Sequence, residues 1–418
     1  MSRWQRDVPI YNQPLMSAPF VFFGVLALIG LAFSGVRLFM GLAFTGMSDQ
    51  YAWGVWKTFN VMTLTALGSG ALAVGIFAWI FNKKQLHVVM RTALASSILF
   101  YATGMFALVF DVGRPWNMWN MILPWRWNLH SALLEVAVCM SAYVAIFLLY
   151  ENLPPLADAL YAKGSPARRK VMDRRVPRLR SLYPYMLGFA FLLPAMHQSS
   201  LGSLMVIAGP KVHPLWQTQM LPALYLIQAV VCGFAAVLVI LLVSSLAWRR
   251  QIDVPIVGDL GKYMSWTSMF FVAVRWIDVL VRGVAGKAFE TNWYAALFHA
   301  ENLLVLLPAL LLMNSRLRRT PRVVFVSAIF TAAGGLLYRF SPTTFAYRAG
   351  DPSIYFPTIP ELLMCLGYIG LAVTLFILAA RTFAIIPGTL SDWYASVKFN
   401  KQLHPELRID DHGAATDH

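Results

Sequence analysis

The chain has 418 residues, of which 58% are apolar and only 13% are charged, and its mean hydropathy is +0.61. Because soluble domains carry about 25% charged residues, this composition excludes an ordinary soluble protein and predicts a membrane protein. A formal net charge of +15 could indicate a nucleic-acid surface, so the placement of the basic residues matters. The three cysteines, Cys139, Cys232 and Cys365, lie in apolar runs without a CxxC spacing. This predicts no iron–sulfur cluster and no metal site in the chain.

Ten apolar segments follow one another along the chain. A membrane span needs about 20 mostly apolar residues, and in lipid only helices or closed barrels satisfy every backbone polar group. We therefore predict an all-α membrane protein with about ten transmembrane helices in residues 20–386, between a cytoplasmic N-terminus (1–19) and a cytoplasmic tail (387–418). The predicted helices, in chain order, cover residues 20–45, 53–81, 88–111, 129–151, 183–208, 216–247, 264–284, 292–313, 321–341 and 357–386.

Lysine and arginine are concentrated in alternate connections between these segments, and in short loops they favour the cytoplasmic side. The pattern predicts that both termini are cytoplasmic and that the connections after odd-numbered helices face outward. The densest basic run, Arg168–Arg175, lies in the connection of residues 152–182 and has no aromatic residues spaced for base stacking. We interpret it as a topology determinant that faces anionic lipid, so no nucleic-acid partner is predicted.

The first three predicted helices carry ionisable residues toward their outer ends. Arg37 is late in the first helix, Lys57 is early in the second, and Asp111 ends the third. A charge in lipid is costly and is by default a functional-site hypothesis, although Lys57 could simply extend to the outer interface. In the second helix, the small residues Gly68–Gly70 predict close packing against a neighbouring helix.

The outward connection of residues 112–128 reads VGRPWNMWNMILPWRWN. Tryptophan at a membrane interface is typical of an aromatic belt, and a docking face for an external partner is the alternative. Glu135 follows in the outer third of the fourth helix, with no basic residue one turn away on that helix. We expect its carboxyl group to be protonated or paired across helices, and we predict a functional role for it.

The fifth helix contains the most unusual stretch, LLPAMHQSSLGSLM, at residues 192–205. Pro194 removes a backbone donor and predicts a break in the helix. His197, Gln198 and Ser199 then place polar groups at the break. Irregular backbone at membrane depth is tolerated where it is buried in protein or lines a cavity. We therefore predict a ligand or proton site here, with a helix-packing kink as the alternative.

Ionisable residues also lie in the outer parts of the last four helices, and in the eighth they are His299 and Glu301. Arg275, Asp278 and Arg282 share one face of the seventh helix, which predicts a structural ion pair of Asp278 with either arginine. Arg339 in the ninth helix could extend to the interface, and Glu361 could cap the tenth. Sorting of such residues to one side predicts one or more polar pockets that open toward the outer face.

Three histidines, His130, His197 and His299, lie in or beside the predicted helices. A b-type haem held between two histidines needs them to face each other at one depth, and none of the three has a clearly matched partner. The sequence therefore predicts no haem in this chain.

Several blocks of the sequence resemble the NrfD/HybB family of integral membrane subunits. The most specific is LLPAMHQSSLGSLMVIAGPKVHPLWQ at 192–217, and the others include WGVWKTF at 53–59, DVGRPWN at 111–117 and NLHSALLEVAVCM at 128–140. The resemblance implies two helical bundles in a bacterial inner membrane and a menaquinone or ubiquinone site near the outer face. It also implies a periplasmic iron–sulfur ferredoxin-like partner and a catalytic or multihaem cytochrome subunit.

The resemblance further implies the residues of the site. It points to Glu135 and His197 as catalytic residues, and to Asp111 and Arg114 as a pair that handles quinone or protons. The predicted cofactor-binding residues are Asp111, Arg114, His197, Gln198, Ser199 and Trp216.

Two departures from the hydrogenase branch leave the identity of the complex open. Asn60 stands where an aspartate is expected, and Asp278 stands where a glutamate is expected. A hydrogenase, a dissimilatory sulfite-reduction complex and a multihaem-cytochrome complex all remain candidates. The predicted function is a quinone-reacting subunit of a respiratory complex. The alternatives are a secondary transporter, which a broken fifth helix would suit, and a passive membrane anchor.

Overall fold

The structure is a computed structural model in which part of the chain is described. The described residues are 16–128, 130–162, 181–248, 250, 253–348, 355–382 and 385–387. The predicted N-terminal segment 1–19 and tail 387–418 lie almost wholly outside these residues, as does the basic run Arg168–Arg175.

Ten long helices account for most of the described residues. They are α1 (Ala18–Met40), α2 (Val55–Ile80), α3 (Met90–Asp111), α4 (Ala132–Ala162), α5 (Tyr183–Ala208), α6 (Leu221–Ala247), α7 (Val254–Val281), α8 (Trp293–Met313), α9 (Pro321–Phe340) and α10 (Ile359–Thr382). Within the described residues, nine of them are long and apolar enough to span a membrane, and the apolar part of α4 runs from Ala132 to Phe147. The prediction of an all-α membrane protein with about ten helices is confirmed.

The helices form two closed bundles. In the first bundle, each helix packs against the next in the closed order α2, α3, α4 and α5. The second bundle is built in the same way from α6, α7, α8 and α9. The pair α1 and α10 packs against α3, and α2 meets α6 where the two bundles join. At that crossing a Cβ on Gly233 would lie 2.5 Å from the Ser69 carbonyl oxygen. The close packing predicted for Gly68–Gly70 is therefore present, because the backbones touch where no side chain intervenes.

Two helices differ from their predicted form. The predicted break at Pro194 is wrong, because α5 is continuous from Tyr183 to Ala208. Helix α5 packs between α4 and α6. In this setting it tolerates the loss of the one backbone hydrogen bond that proline cannot donate. Helix α7 begins at Val254 rather than near residue 264, because the Asp253 side chain caps it by accepting from the Ile256 N–H at 3.0 Å. Because the first turns of α7 contain polar residues, the apolar run in the sequence begins later than the helix does.

The connections after α1, α3, α5, α7 and α9 lie together at one end of the molecule. An antiparallel bridge joins Val212 to Tyr347, and the Val55 N–H donates to the Tyr355 hydroxyl at 2.7 Å. We call this the outer end, after the predicted orientation, which stays a prediction.

Candidate functional site

His197 lies in the interior of the first bundle. It is 0% exposed, and its Nδ1 is 3.1 Å from the backbone carbonyl oxygen of Val136 on α4. Because a carbonyl oxygen can only accept, Nδ1 carries the proton, and Nε2 holds a lone pair while the ring is neutral. Nε2 has no hydrogen-bond partner among the described residues, and the ring meets Tyr101 edge-on at 5.3 Å between centroids. His197 therefore presents a fixed, unsatisfied proton acceptor.

Gln198 connects three helices of the same bundle. Its Nε2 lies 3.4 Å from Thr65 Oγ1 on α2 and 3.4 Å from the Tyr101 hydroxyl on α3. The Tyr101 hydroxyl is also 3.3 Å from Ser69 Oγ. Gln198 Oε1 has no partner among the described residues. Two consecutive residues of α5 thus carry unsatisfied polar atoms, and most buried polar groups have a partner in protein or water.

The structure places Glu135 and His197 close together through the backbone. Glu135 immediately precedes Val136, whose carbonyl oxygen holds the His197 ring. The Glu135 side chain is half-buried, and within the described residues no hydrogen bond or ion pair engages its carboxyl group. Ser199 lies two residues after His197 and donates to the Met196 carbonyl oxygen at 2.9 Å, so its proton is used within α5.

A π-helical stretch of α2, Thr58–Thr63, adds further unsatisfied atoms to the first bundle. Asn60 is 1% exposed, and neither polar atom of its side chain has a partner among the described residues. The Thr63 hydroxyl is also buried and has no hydrogen-bond partner among the described residues. π-Helical turns occur frequently at functional sites, and this one lines the bundle that contains His197.

Asp111 pairs with a different residue from the one expected. Its carboxylate is 3.3 Å from Lys57 Nζ, and Arg37 Nη2 donates to its carbonyl oxygen at 3.0 Å. Arg114 is exposed and is not the partner of Asp111. The reason is local, because Val112 is extended with φ −70° and ψ 144°, which turns the chain away from the α3 face before Arg114. The expected Asp111/Arg114 pair is therefore corrected to Lys57/Asp111.

Glu301 is the centre of a polar cluster in the second bundle. It is 1% exposed, and it accepts hydrogen bonds from Arg275, Ser341 and Trp216. The Trp216 indole N–H lies 3.0 Å from one carboxylate oxygen and 3.2 Å from the other. Trp216, predicted as a cofactor-binding residue, lies beside Glu301 because the 212–220 connection covers the second bundle. Arg275 also lies 4.2 Å from the centroid of the Phe298 ring.

Asp278 forms its ion pair with Arg282, one of the two partners that the sequence left open. The distance is 2.8 Å, and the Thr218 hydroxyl donates to the same carboxylate at 2.6 Å. Arg282 also donates to the carbonyl oxygens of Pro214 and Gln217. The pair therefore fastens the 212–220 connection to the end of α7.

Two further charged residues, not among the predicted site residues, are fully buried. Arg339 is 0% exposed, so it does not extend to the interface, and it donates to Gln228 and Tyr225 on α6. Glu361 is also 0% exposed and accepts from the Thr358 N–H at 2.8 Å, a capping interaction at the start of α10. The signal in the sequence was a charge within an apolar segment, but the partners of Arg339 lie on α6 and carry no charge.

The outer end exposes large aromatic side chains. Trp116, Trp119 and Trp125 are each more than half exposed. A separate open depression of about 600 Å³ at the α7–α8 corner is lined by Phe289, Trp293 and His299 among others. None of the predicted site residues lines it.

Residues 43–342 match the family described as polysulphide reductase, NrfD. The chain belongs to the NrfD family. It is 32% identical over 377 residues to the protein named probable Ni/Fe-hydrogenase 2 b-type cytochrome subunit of Escherichia coli (strain K12), which covers 89% of this chain and 93% of that protein. It is 26% identical over 351 residues to the menaquinone reductase integral membrane subunit of Nitratidesulfovibrio vulgaris, with 78% and 80% covered. It is 21% identical over 404 residues to a selenate reductase subunit of Mesobacillus selenatarsenatis, with 85% and 91% covered.

Membership confirms the family that the sequence blocks predicted. This NrfD-family chain is a multi-pass integral protein of the bacterial inner membrane. Its relatives are named as subunits of hydrogenase, menaquinone reductase and selenate reductase.

One expectation is contradicted by these relatives. The Escherichia coli protein is named as a b-type cytochrome subunit, so the prediction that the NrfD-family chain holds no haem is wrong. The prediction required two histidines at one depth, yet a single imidazole nitrogen is enough for one axial ligand of a haem iron. Nε2 of His197, which is buried and has no partner among the described residues, is the nitrogen that fits this role.

Proposed function

We propose that this chain is the quinone-reacting membrane subunit of a respiratory complex. It would pass electrons between an external iron–sulfur partner and membrane quinone. The support is membership of the NrfD family together with a relative named menaquinone reductase, integral membrane subunit. We place the iron–sulfur partner at the outer end, where exposed tryptophans and the basic residues Arg126 and Lys211 offer a contact surface.

One observation carries the proposal, namely the two unsatisfied atoms of consecutive residues on α5. Quinone takes up two electrons and two protons to become quinol, and the reverse reaction releases them. Nε2 of His197 is held as a proton acceptor by the bond from Nδ1 to Val136, so it can take a proton from a quinol hydroxyl. Imidazole suits this exchange because it titrates near neutrality in water.

Glu135 is the next group in the proposed proton route. It adjoins the residue that orients His197, and its carboxyl group has no partner among the described residues. The Lys57/Asp111 pair would continue the proton route at the outer end of the same bundle. The Oδ1 atom of Asp111 has no hydrogen-bond partner among the residues that the structure describes, so it can accept a proton.

Variants of the two predicted catalytic residues test this function. We expect Glu135→Gln and His197→Ala to assemble with their partner subunits and to lose quinol-dependent turnover about 100-fold or more, as removal of general acid–base groups does. Ser203→Ala is the matched control on α5, because its hydroxyl donates to the Ser199 carbonyl oxygen within the helix. Normal turnover in both test variants would refute the site. Normal turnover in every buried-acid variant would favour a passive anchor, and solute uptake by proteoliposomes would favour a transporter.

Haem is a second candidate cofactor, favoured by the name of the Escherichia coli relative and by the free nitrogen of His197. Bound there, haem would supply one-electron transfer. The reduced-minus-oxidised absorption spectrum of the same purified variants separates the two roles. A haem band in the wild type that His197→Ala loses would make His197 a haem ligand. Turnover loss without such a band would leave it as a proton acceptor.

A further inference from the structure

Among the described residues, the groups that hold the buried cation Arg339 are all neutral. Its Nε donates to Gln228 Oε1 at 2.6 Å, and its Nη2 donates to the Tyr225 carbonyl oxygen at 2.6 Å. The guanidinium carbon lies 3.9 Å from the centroid of the Tyr225 ring. Nη1 has no hydrogen-bond partner among the described residues. The side chain is therefore fixed in position without being neutralised.

The neighbouring acids are already paired with other bases. Glu301 is engaged by Arg275, and Asp278 is engaged by Arg282. Within the described residues, no carboxylate lies within ion-pair distance of Arg339. The described interior of the second bundle consequently holds one positive charge in excess. A buried charge without a counter-charge is costly, and in a membrane it indicates function.

Arg339 lies where the second bundle meets the first. Helix α9 packs against α6 and also against the π-helical stretch Thr58–Thr63 of α2. Tyr225, whose ring Arg339 contacts, belongs to the same buried cluster as Tyr101 of α3, and the Tyr101 ring meets His197. The unbalanced cation thus lies on a helix that borders the bundle in which we placed the quinone.

We propose that Arg339 is the fixed counter-charge for anionic forms of the quinone ring beside His197. The inference rests on the proposed function. Each electron from the partner subunit adds a negative charge to the ring until a proton follows it, and a cation held in place stabilises that charge without having to reorganise. Arginine suits the task because it does not lose its proton in proteins. Arg339 acts at a distance and is a positioning residue rather than a catalytic one.

The test compares two ring probes that differ by one charge. The full complex in lipid nanodiscs is titrated with 1,4-naphthoquinone and with 2-hydroxy-1,4-naphthoquinone, whose hydroxyl is ionised at pH 7.5, and the ratio of the two Kd values is taken. We expect wild type to favour the anion and Arg339→Gln to lose about tenfold of that preference, given a unit charge in a protein interior. Arg339→Lys retains the charge and should retain most of the preference.

Variants of Gln228 keep the test decisive if Arg339→Gln fails to fold. Gln228→Glu places a carboxylate on Arg339 and should reduce the preference as Arg339→Gln does. Gln228→Leu removes the hydrogen bond but keeps the charge of Arg339, so this variant should retain the preference for the anionic probe. Arg322→Gln removes an exposed charge at the opposite end of α9 and should change nothing.

The outcomes separate the two proposals. An equal Kd ratio in wild type and Gln228→Glu, with both probes bound, would overturn the role of Arg339 and leave the quinone site standing. A loss of preference in Gln228→Leu would also overturn it, because the effect would then be structural. If wild type binds neither probe, the proposed quinone site fails and the inference fails with it.

Discussion

Three basic side chains of this protein, one half-buried and two buried, differ in how their charge is balanced. Lys57 has Asp111 at 3.3 Å, and Arg275 has Glu301. Removing one partner of such a pair leaves an uncompensated charge in the interior, which is strongly destabilising. Removal of one residue from either pair should therefore destabilise the fold. Arg339 is unbalanced in the native state, so its charge needs a functional explanation.

The sequence could identify some of these residues but not their partners. His197 and Gln198 stand out as polar residues in an apolar run, and Glu135 stands out as an isolated acid. The hydrogen bond from His197 goes to the backbone carbonyl oxygen of Val136. Because every residue has such a carbonyl, the residue type of the partner gives no signal in the sequence. The contact of Arg339 with Gln228 depends on how α9 packs against α6. Neither contact leaves a pattern in one chain read alone.

His213, in the connection before α6, should make stability depend on pH. Its ring stacks on Tyr294 at 4.3 Å, and its Nδ1 accepts the Leu215 N–H at 3.3 Å. Burial lowers the pKa of His213 to about 4, with Arg348 and Lys287 adding to the effect and Glu290 opposing it. Because the unfolded imidazole binds its proton at higher pH than the folded one, stability is full above about pH 6.5 and declines as pH falls toward 4.

The measurement is thermal unfolding of the purified protein at pH 7.5 and pH 5. We expect wild type to lose about 2 kcal/mol more than His213→Asn over this range. Asparagine retains an acceptor for the Leu215 N–H but does not titrate. An identical pH dependence in the two proteins would show that His213 is not the responsible group.

At the scale of the helices, the crossing of α2 and α6 determines how the bundles join. Hydropathy located the helices because burial in lipid requires long apolar runs, and the small residues of α2 predicted a packing site. It could not show the π-helical stretch of α2 or the continuity of α5 at Pro194, because these depend on hydrogen bonds and neighbours rather than on polarity. The start of α7 was missed for a similar reason, since a side-chain cap rather than an apolar residue sets it.

Replacement of Gly233 should loosen this crossing. The added Cβ in Gly233→Ala would lie 2.5 Å from the Ser69 carbonyl oxygen and 2.7 Å from its carbon. Since backbone atoms cannot rotate away, the helices must separate, at a cost of about 1–3 kcal/mol. Gly188→Ala on α5 is the control, because its Cβ would meet nothing within 4 Å. Equal thermal stability of the two variants in detergent would contradict the close contact.

At the scale of the whole molecule, the charged pairs of both bundles lie near the outer end. Lys57/Asp111 lies where α2 begins and α3 ends, and Asp278/Arg282 lies where α7 ends. The sequence predicted this sorting correctly. Because successive spans run in opposite directions, the position of a residue within its span indicates which end of the molecule it is near. It did not predict that the charges divide between two bundles. The 212–220 connection carries Trp216 to the second bundle, and no sequence pattern indicates that path.

The orientation of this end remains the prediction on which the external partner depends. An iron–sulfur protein outside the cell membrane can reach the proposed site only if the outer end faces outward. Thr291→Cys and Ser315→Cys flank α8 at its two ends and are both exposed, whereas the native cysteines Cys139, Cys232 and Cys365 are buried. We expect a membrane-impermeant maleimide to label Thr291→Cys in intact spheroplasts and Ser315→Cys only in inverted vesicles. The reverse labelling would place the charged pairs on the cytoplasmic side, and the partner would then have to be a cytoplasmic protein.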